Sequence, residues 1–384
     1  MSRTFKPHQS VLFKPADAAG RCRVCAGPFF PEPLLQYRNM PAAAQFLPQA
    51  GCLERDRGVD LVLFQCSGCG LVQLGGAPVH YYREVVRAAG ISDEMKESRR
   101  KQFRGFLEEH GLRGKKVIEI GCGRGEYLAI IKECGTDAYG LEDSEASVAH
   151  CVRAGLQASR GFLERRDDEI SGAPFDAFAM LNFLEHLPEP NETLRAIHKN
   201  LAGGGVGIVE VPNFEMVLRK NLFSEFIGDH LLYFTKETFR TALALNGFET
   251  LDCSETWHDY ILSARVRRKE KLDVSGFHSR QGSITREIER YLGRFPAGKV
   301  AVWGAGHQAL AVLSLAGLGG KIRYVVDSAP FKQGRYTPAT HIPIVSPETL
   351  KTDAVDAVIV MAASYSDEVA GILRREFNPG MDVS

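Results

Sequence analysis

The 384-residue chain has no excess charge of either sign, because 47 lysines and arginines face 47 aspartates and glutamates. It therefore carries no net basic field to recruit nucleic acid or an anionic membrane, and no basic stripe that would track a phosphate backbone. Long apolar runs are missing too. No stretch approaches the roughly 20 residues that cross a bilayer, and the opening MSRTFKPHQSVLFKP lacks the apolar core of a secretory signal. Nine cysteines without such a signal read as thiols or metal ligands rather than disulfides. These absences predict a soluble, cytoplasmic protein with no nucleic-acid or membrane partner, long enough for two or three domains.

The texture of the chain divides it into 1–80, 81–270 and 271–384. The first part is rich in Pro, Gly and Cys and short of long periodic segments, as in a small module held by something other than a large core. SDEMKESRRKQFRGFLEEHGL, from residue 92, predicts an amphipathic helix capped by Ser92, with Met95, Phe103, Phe106 and Leu107 near one face. Apolar strands then alternate with helical stretches to about residue 265. After the charged RVRRKEKLDVSG, a second such alternation runs from KVAVWGAG to the end.

Two C-x-x-C pairs, Cys22 with Cys25 and Cys66 with Cys69, match a tetrahedral zinc site with no open position, hence a structural one. A redox centre needs only one pair. KVIEIGCGRGEYL is a β-branched strand, a turn with Gly121, Gly123 and Gly125, and a helix start. Glu119 lies at the strand's end, and Glu142 closes the next strand about twenty residues on, where an acid can accept hydrogen bonds from a ribose diol. FDAFAMLNFLEHLPEP then runs an apolar strand into Asn182, Glu185 and His186.

Together these pieces resemble the class I S-adenosylmethionine-dependent methyltransferases. The resemblance implies that Glu119 and the glycines cradle the methionine part of the donor, that Glu142 holds the ribose, and that Asn182 and Glu185 flank the adenosyl pocket. An NAD-type Rossmann fold is the rival for this region, but its third glycine falls one residue later. A second turn in KVAVWGAGHQALAVLSL, with Gly304, Gly306 and His307, precedes Asp327 by about twenty residues and reads as a degenerate dinucleotide fingerprint or a bare Rossmann-like scaffold. Lys332, Arg335 and His341 follow and would suit a diphosphate.

The whole arrangement of cysteine module, methyltransferase core and Rossmann-like lobe resembles the sugar C-methyltransferases of deoxysugar biosynthesis. YRNMPAAAQFLPQ, DHLLYFT and KQGRYTPATHIPI carry that resemblance. It implies a nucleotide-linked 4-keto sugar as substrate, a C-terminal lobe that holds it without NAD, and His230 as an acid/base group. Asp229 would orient or charge the His230 ring, and Tyr233 and His186 would line the cleft. A histidine suits removal of a proton next to a ketone. The chain departs from that family at Ile227, where a tyrosine is usual, and in YYREVVRAAGISDEM, which lacks the family's Tyr/His-bearing segment. Arg83 and Arg87 place positive charge there for an anionic substrate group. O- or N-methylation of another small metabolite, and a non-catalytic nucleotide-binding role, are the alternative readings on the same scaffold.

Overall fold

A computed structural model describes residues 20–45, 47–84, 91–377 and 380–384. The chain divides into two compact units, residues 1–270 and 271–384.

The core of the first unit is a seven-stranded sheet. Its strands are β4 (Lys116–Ile120), β5 (Asp137–Glu142), β6 (Gln157–Arg160), β7 (Phe175–Leu181), β8 (Leu201–Pro212), β10 (Phe248–Thr256) and β11 (Ile261–Arg268). Their spatial order is β10-β11-β8-β7-β4-β5-β6. Every pairing from β6 to β8 is parallel, whereas β11 runs antiparallel to both β8 and β10. The central strands are apolar on both faces because helices cover both. Phe175, Phe178 and Met180 of β7 are fully buried. Helix α1 (Asp93–Glu109) starts where the sequence predicts, with the Ser92 hydroxyl accepting from the Met95 amide at 3.1 Å, and it buries Phe103, Phe106 and Leu107. Helices α2 (Glu126–Glu133), α3 (Glu145–Arg153), α4 (Pro190–Asn200), α5 (Phe214–Lys220) and α6 (Lys236–Leu245) make the crossovers and flanks.

A smaller sheet joins β1 (Leu35–Met40), β2 (Val59–Gln65) and β3 (Val72–Leu74) to β9 (Leu232–Tyr233), in that order and all antiparallel. The cysteine-bearing segment is thus not closed on itself. Its last strand comes from a stretch some 160 residues further along the chain, directly after His230.

The second unit opens with α7 (Ser275–Leu292). A parallel sheet follows, built from β12 (Val300–Trp303), β13 (Val325–Val326), β14 (Ile344–Val345), β15 (Ala357–Val360) and β16 (Asp382–Val383), ordered β14-β13-β12-β15-β16. Helix α8 (His307–Leu315) follows β12, and residues 366–376 form another helix. Among the described residues no helix is long and apolar enough to cross a membrane.

Candidate active site

The first glycine turn leaves the carboxyl end of the central strand β4, where an open parallel sheet keeps its crevice. Gly121 has φ +70°, and a Cβ there would lie 3.0 Å from the Phe183 ring, so only glycine fits. Glu142 clamps the turn, its carboxylate accepting from the Gly123 amide at 2.9 Å and the Ser144 amide at 3.0 Å. Burial pushes the Glu142 carboxyl up, and those amides work against the shift. Glu119 is buried beneath the turn, and Gly125, at φ +85°, starts α2. Gly121, Glu142, Phe162, Phe183 and Arg83 line one cleft. Arg83, expected near the acceptor, thus sits in the cleft beside the glycine turn. Its guanidinium pairs with Glu164 and lies 5.2 Å from the centre of the Phe162 ring. Arg87 falls outside the described residues.

Asn182 and Glu185 leave the end of β7. Asn182 adopts φ +50° and donates its amide to the Glu210 carbonyl at 2.9 Å, while its buried Oδ1 has no partner. Glu185 is 1% exposed, with Oε2 unpartnered. Burial, aided by the nearby Glu210, pushes its carboxyl up to about 8, so it is mostly protonated at neutral pH.

Below these residues lies a buried network that the sequence reading missed. The Arg99 guanidinium meets Glu210 at 2.5 Å, and Gln102 bridges the two, accepting from Arg99 at 2.7 Å and donating to Glu210 at 2.6 Å. The Arg99 guanidinium also lies over the Tyr127 ring, 4.7 Å from its centre. The available signal was Glu210 itself, a lone acid inside the apolar run GIVEVP.

His186 and His230 meet edge to face, with ring centres 4.8 Å apart. The His186 Nδ1 is 2.8 Å from the Asp229 carbonyl oxygen, and its Nε2 is 3.8 Å from Glu185 Oε1. Burial first, then the neighbouring His186, pushes His230 down to about 3. Part of the ring still faces a pocket, but protein packs around the imidazole densely enough to keep it neutral. Asp229 does not orient that ring, which corrects the sequence expectation. Its carboxylate instead accepts from the Tyr81 hydroxyl at 2.8 and 2.9 Å and from the Ala44 amide at 3.2 Å, fastening the N-terminal segment. Tyr233 faces the same pocket, and its hydroxyl stays within 3.3 Å of both the amide and the carbonyl of Ile227. The remaining polar lining is Asn213, Glu225 and Tyr260. None of these three was singled out from the sequence.

The four cysteines of the two pairs converge until every Sγ lies within 4.8 Å of the others. Cys25 and Cys66 approach to 3.4 Å, and Cys22 and Cys69 to 3.6 Å, far beyond a disulfide bond and near the ~3.8 Å edge of a tetrahedron with 2.3 Å zinc–sulfur bonds. The Gly27 amide donates to Cys25 Sγ, and the Gly68 and Cys69 amides to Cys66 Sγ, as thiolates around a cation require. The residues present fit a tetrahedral metal ion.

In the second unit Asp327 accepts from the Ala305 amide and the Ala329 amide, each at 2.9 Å, and pairs with Lys332 at 2.8 Å. Arg335 and His341, expected beside it, are exposed. Arg335 lines a separate shallow depression with Gly334, Tyr336 and Thr349. Gly306 caps α8 and His307 opens it, both exposed.

Comparison with known proteins gives these features a chemical class. Residues 94–252 match the family model "Methyltransferase domain", and residues 268–380 match "C-methyltransferase C-terminal domain". The chain is an S-adenosylmethionine-dependent methyltransferase, and its first unit has the class I Rossmann-like fold. Along nearly its whole length it is similar to the C-methyltransferase NovU of Streptomyces niveus, at 25% identity over 93% of this chain and 92% of that one. It is also 34% identical to the ubiquinone biosynthesis O-methyltransferase of Pseudomonas aeruginosa (strain UCBPP-PA14) over 26% of this chain and 44% of that protein, so that match spans less than half of the relative. Among solved structures, an S-adenosylmethionine-dependent methyltransferase from Clostridium acetobutylicum aligns with a TM-score of 0.39 at 12% identity, over 50% of this chain and 97% of that one.

Proposed function

We propose that the protein transfers a methyl group from S-adenosylmethionine to a carbon atom of a small molecule, and that this acceptor is a nucleotide-linked keto sugar. The observation that carries this reading is the end-to-end similarity to a C-methyltransferase, which includes that group's C-terminal domain. The pocket lined by the neutral His230 imidazole and the Tyr233 phenol supports it.

The donor supplies an electrophilic methyl sulfonium. Glu142, Gly121 and Gly123 hold its ribose and methionine ends, with Glu119, Gly125, Asn182 and Glu185 around them. His230, His186 and Tyr233 face the acceptor, and Asp229 fixes their segment to the N-terminal sheet. Zinc on Cys22, Cys25, Cys66 and Cys69 holds the turn that leads into β3, and β3 in turn pairs with the strand after His230. In the second unit, the exposed Arg335 and His341 would meet the nucleotide's diphosphate, with Gly306 and His307 exposed at the start of α8, while Asp327 and Lys332 hold each other beside the Gly304 turn.

The low basicity of His230 favours a second reading, O- or N-methylation, in which the acceptor is already nucleophilic and positioning suffices. Calorimetric titration of the full chain with S-adenosylhomocysteine and with nucleoside diphosphates separates the two. The sugar reading expects both to bind, with the diphosphate alone weakened in the double variant Arg335→Ala, His341→Ala. Binding of S-adenosylhomocysteine alone removes the nucleotide sugar and leaves the second reading.

A further inference from the structure

The pocket that holds His230 contains one carboxylate, and its position is fixed by an unusual piece of backbone. Glu225 lies on a short 3-10 turn, Phe223–Glu225, and its Oε2 accepts from the Tyr260 hydroxyl at 2.6 Å. Tyr260 comes from the turn between β10 and β11. The three residues before it, Trp257, His258 and Asp259, all take left-handed backbone angles, with φ of 49°, 58° and 65°. Left-handed geometry is unfavourable for each of these side chains, and three such residues in succession persist only where the surroundings impose them. The fully buried Asn213 imposes it here. Its amide donates to the Tyr260 carbonyl at 2.8 Å, and its side-chain amide donates to the Asp259 carbonyl at 2.7 Å. The outcome of this strain is the placement of one phenol, aimed at Glu225, in the wall of the pocket that His230 and Tyr233 also line.

We infer that Glu225 is the base that removes the acceptor's α-proton, with Tyr260 as the residue that positions it. The inference rests on the C-methylation reading. The tyrosine holds Oε2, and Oε1 has no hydrogen-bond partner among the described residues. The α C–H bond breaks and its proton goes to Oε1. Its electron pair forms the new bond to the methyl carbon, while the methyl–sulfur pair stays on the donor sulfur. Water then takes the proton from Glu225, and the carboxylate is restored. The assignment also accounts for the departures at Ile227 and in the segment near residue 81. Proton abstraction no longer depends on the family's tyrosine and histidine there, because the Glu225 carboxylate supplies it. His230, held neutral, is left to line the acceptor.

Solvent exchange tests the step apart from methyl transfer. The full chain is incubated in D2O with a nucleoside-diphosphate 4-keto sugar and S-adenosylhomocysteine, and deuterium entering the α-carbon is followed by NMR. General-base loss predicts that Glu225→Gln slows exchange by about a hundredfold or more. Glu225→Asp should retain part of the rate, and Tyr260→Phe should lower kcat with little change in KM. His230→Gln should cost less than Glu225→Gln. Calorimetric binding of S-adenosylhomocysteine, equal to wild type in each variant, establishes that the fold and donor site are intact. Exchange retained in Glu225→Gln and lost in His230→Gln overturns the assignment and makes His230 the base. No exchange by the wild-type enzyme, with donor product still bound, overturns the C-methylation reading and the role of Glu225 with it.

Discussion

The two glycine turns look alike in the sequence and differ in the structure. Each follows a buried parallel strand and has an acid about twenty residues on that accepts a turn amide, Glu142 from Gly123 and Asp327 from Ala305. Glu142 is held only by backbone amides, and burial raises its carboxyl. At Asp327 burial acts in the same direction, but the Lys332 ammonium and the Ala329 and Ala305 amides outweigh it and hold the carboxyl below its usual range. The glycines differ as well. A Cβ on Gly123 meets nothing within 4 Å, which leaves space at the turn. A Cβ on Gly304 would lie 2.5 Å from the Met361 carbonyl oxygen, so that glycine is required by the protein's own backbone. One turn is arranged around a space, the other around itself. A fingerprint reports the strand–turn–helix geometry that both share, and the partners of the acid decide whether a ligand is awaited.

Metal removal should separate the units most strongly. All nine cysteines lie in residues 1–270, so a chelator at mildly acidic pH, or Cys66→Ser with Cys69→Ser, should unfold the N-terminal sheet, abolish methyl transfer and leave the transition of the second unit in place. Metal analysis should give one zinc per chain before treatment. An undiminished melting curve for the first unit would remove zinc from its structure. Next, Glu142→Ala should weaken S-adenosylhomocysteine binding roughly ten- to a hundredfold by calorimetry, the loss expected for charge-assisted hydrogen bonds to a diol. Asp327→Ala should leave that affinity unchanged. Equal losses in the two variants would erase the contrast between the turns. A smaller effect distinguishes the glycines. Gly304→Ala should lower Tm by on the order of 5 °C with donor binding intact, because backbone must shift. Gly123→Ala should cost stability only through its φ of +53° and show its effect in donor affinity.

What was legible in the sequence was local. The start of α1, the turn at Gly121 to Gly125 and the position of Glu142 follow from spacing within about thirty residues, where strand, turn and helix constrain one another. The four cysteines were legible because pairing at C-x-x-C is itself local. What was hidden depends on long closures. No periodicity tells that β3 pairs with a two-residue strand at 232–233, or that Asp229 turns from His230 to Tyr81, 148 positions away. Arg99 lies four residues from both Met95 and Phe103, on the apolar face of α1, and only the fold brings Glu210 beneath it. Glu225 and Tyr260 are 35 residues apart and meet only because Asn213 bends the hairpin between β10 and β11. Lys332 was read as a diphosphate ligand because the sequence shows its charge and not its existing partner.

The smallest effect carries the contrast between the units into pH. Glu185 in the first unit has a folded pKa of about 8, raised by burial above the ordinary carboxyl value. A raised carboxyl contributes fully below its unfolded pKa, and that contribution is lost as pH rises through the folded one. Glu185→Gln should therefore leave Tm unchanged near pH 4 and raise it progressively, by several degrees at most, as pH approaches 8. Asp327 in the second unit is shifted the other way. Its contribution is present above its unfolded pKa and lost as pH falls through the lowered folded value. Asp327→Asn should thus destabilise at neutral pH and become silent in acid, where the carboxyl is protonated with or without Lys332 beside it. Melting curves from about pH 2 to 8 should move in opposite senses for the two substitutions, with the effect of Asp327→Asn fading only at the acid end. If Asp327→Asn proves silent across that range, the pair with Lys332 contributes nothing to the fold, and the second turn is as free to receive a ligand as the first.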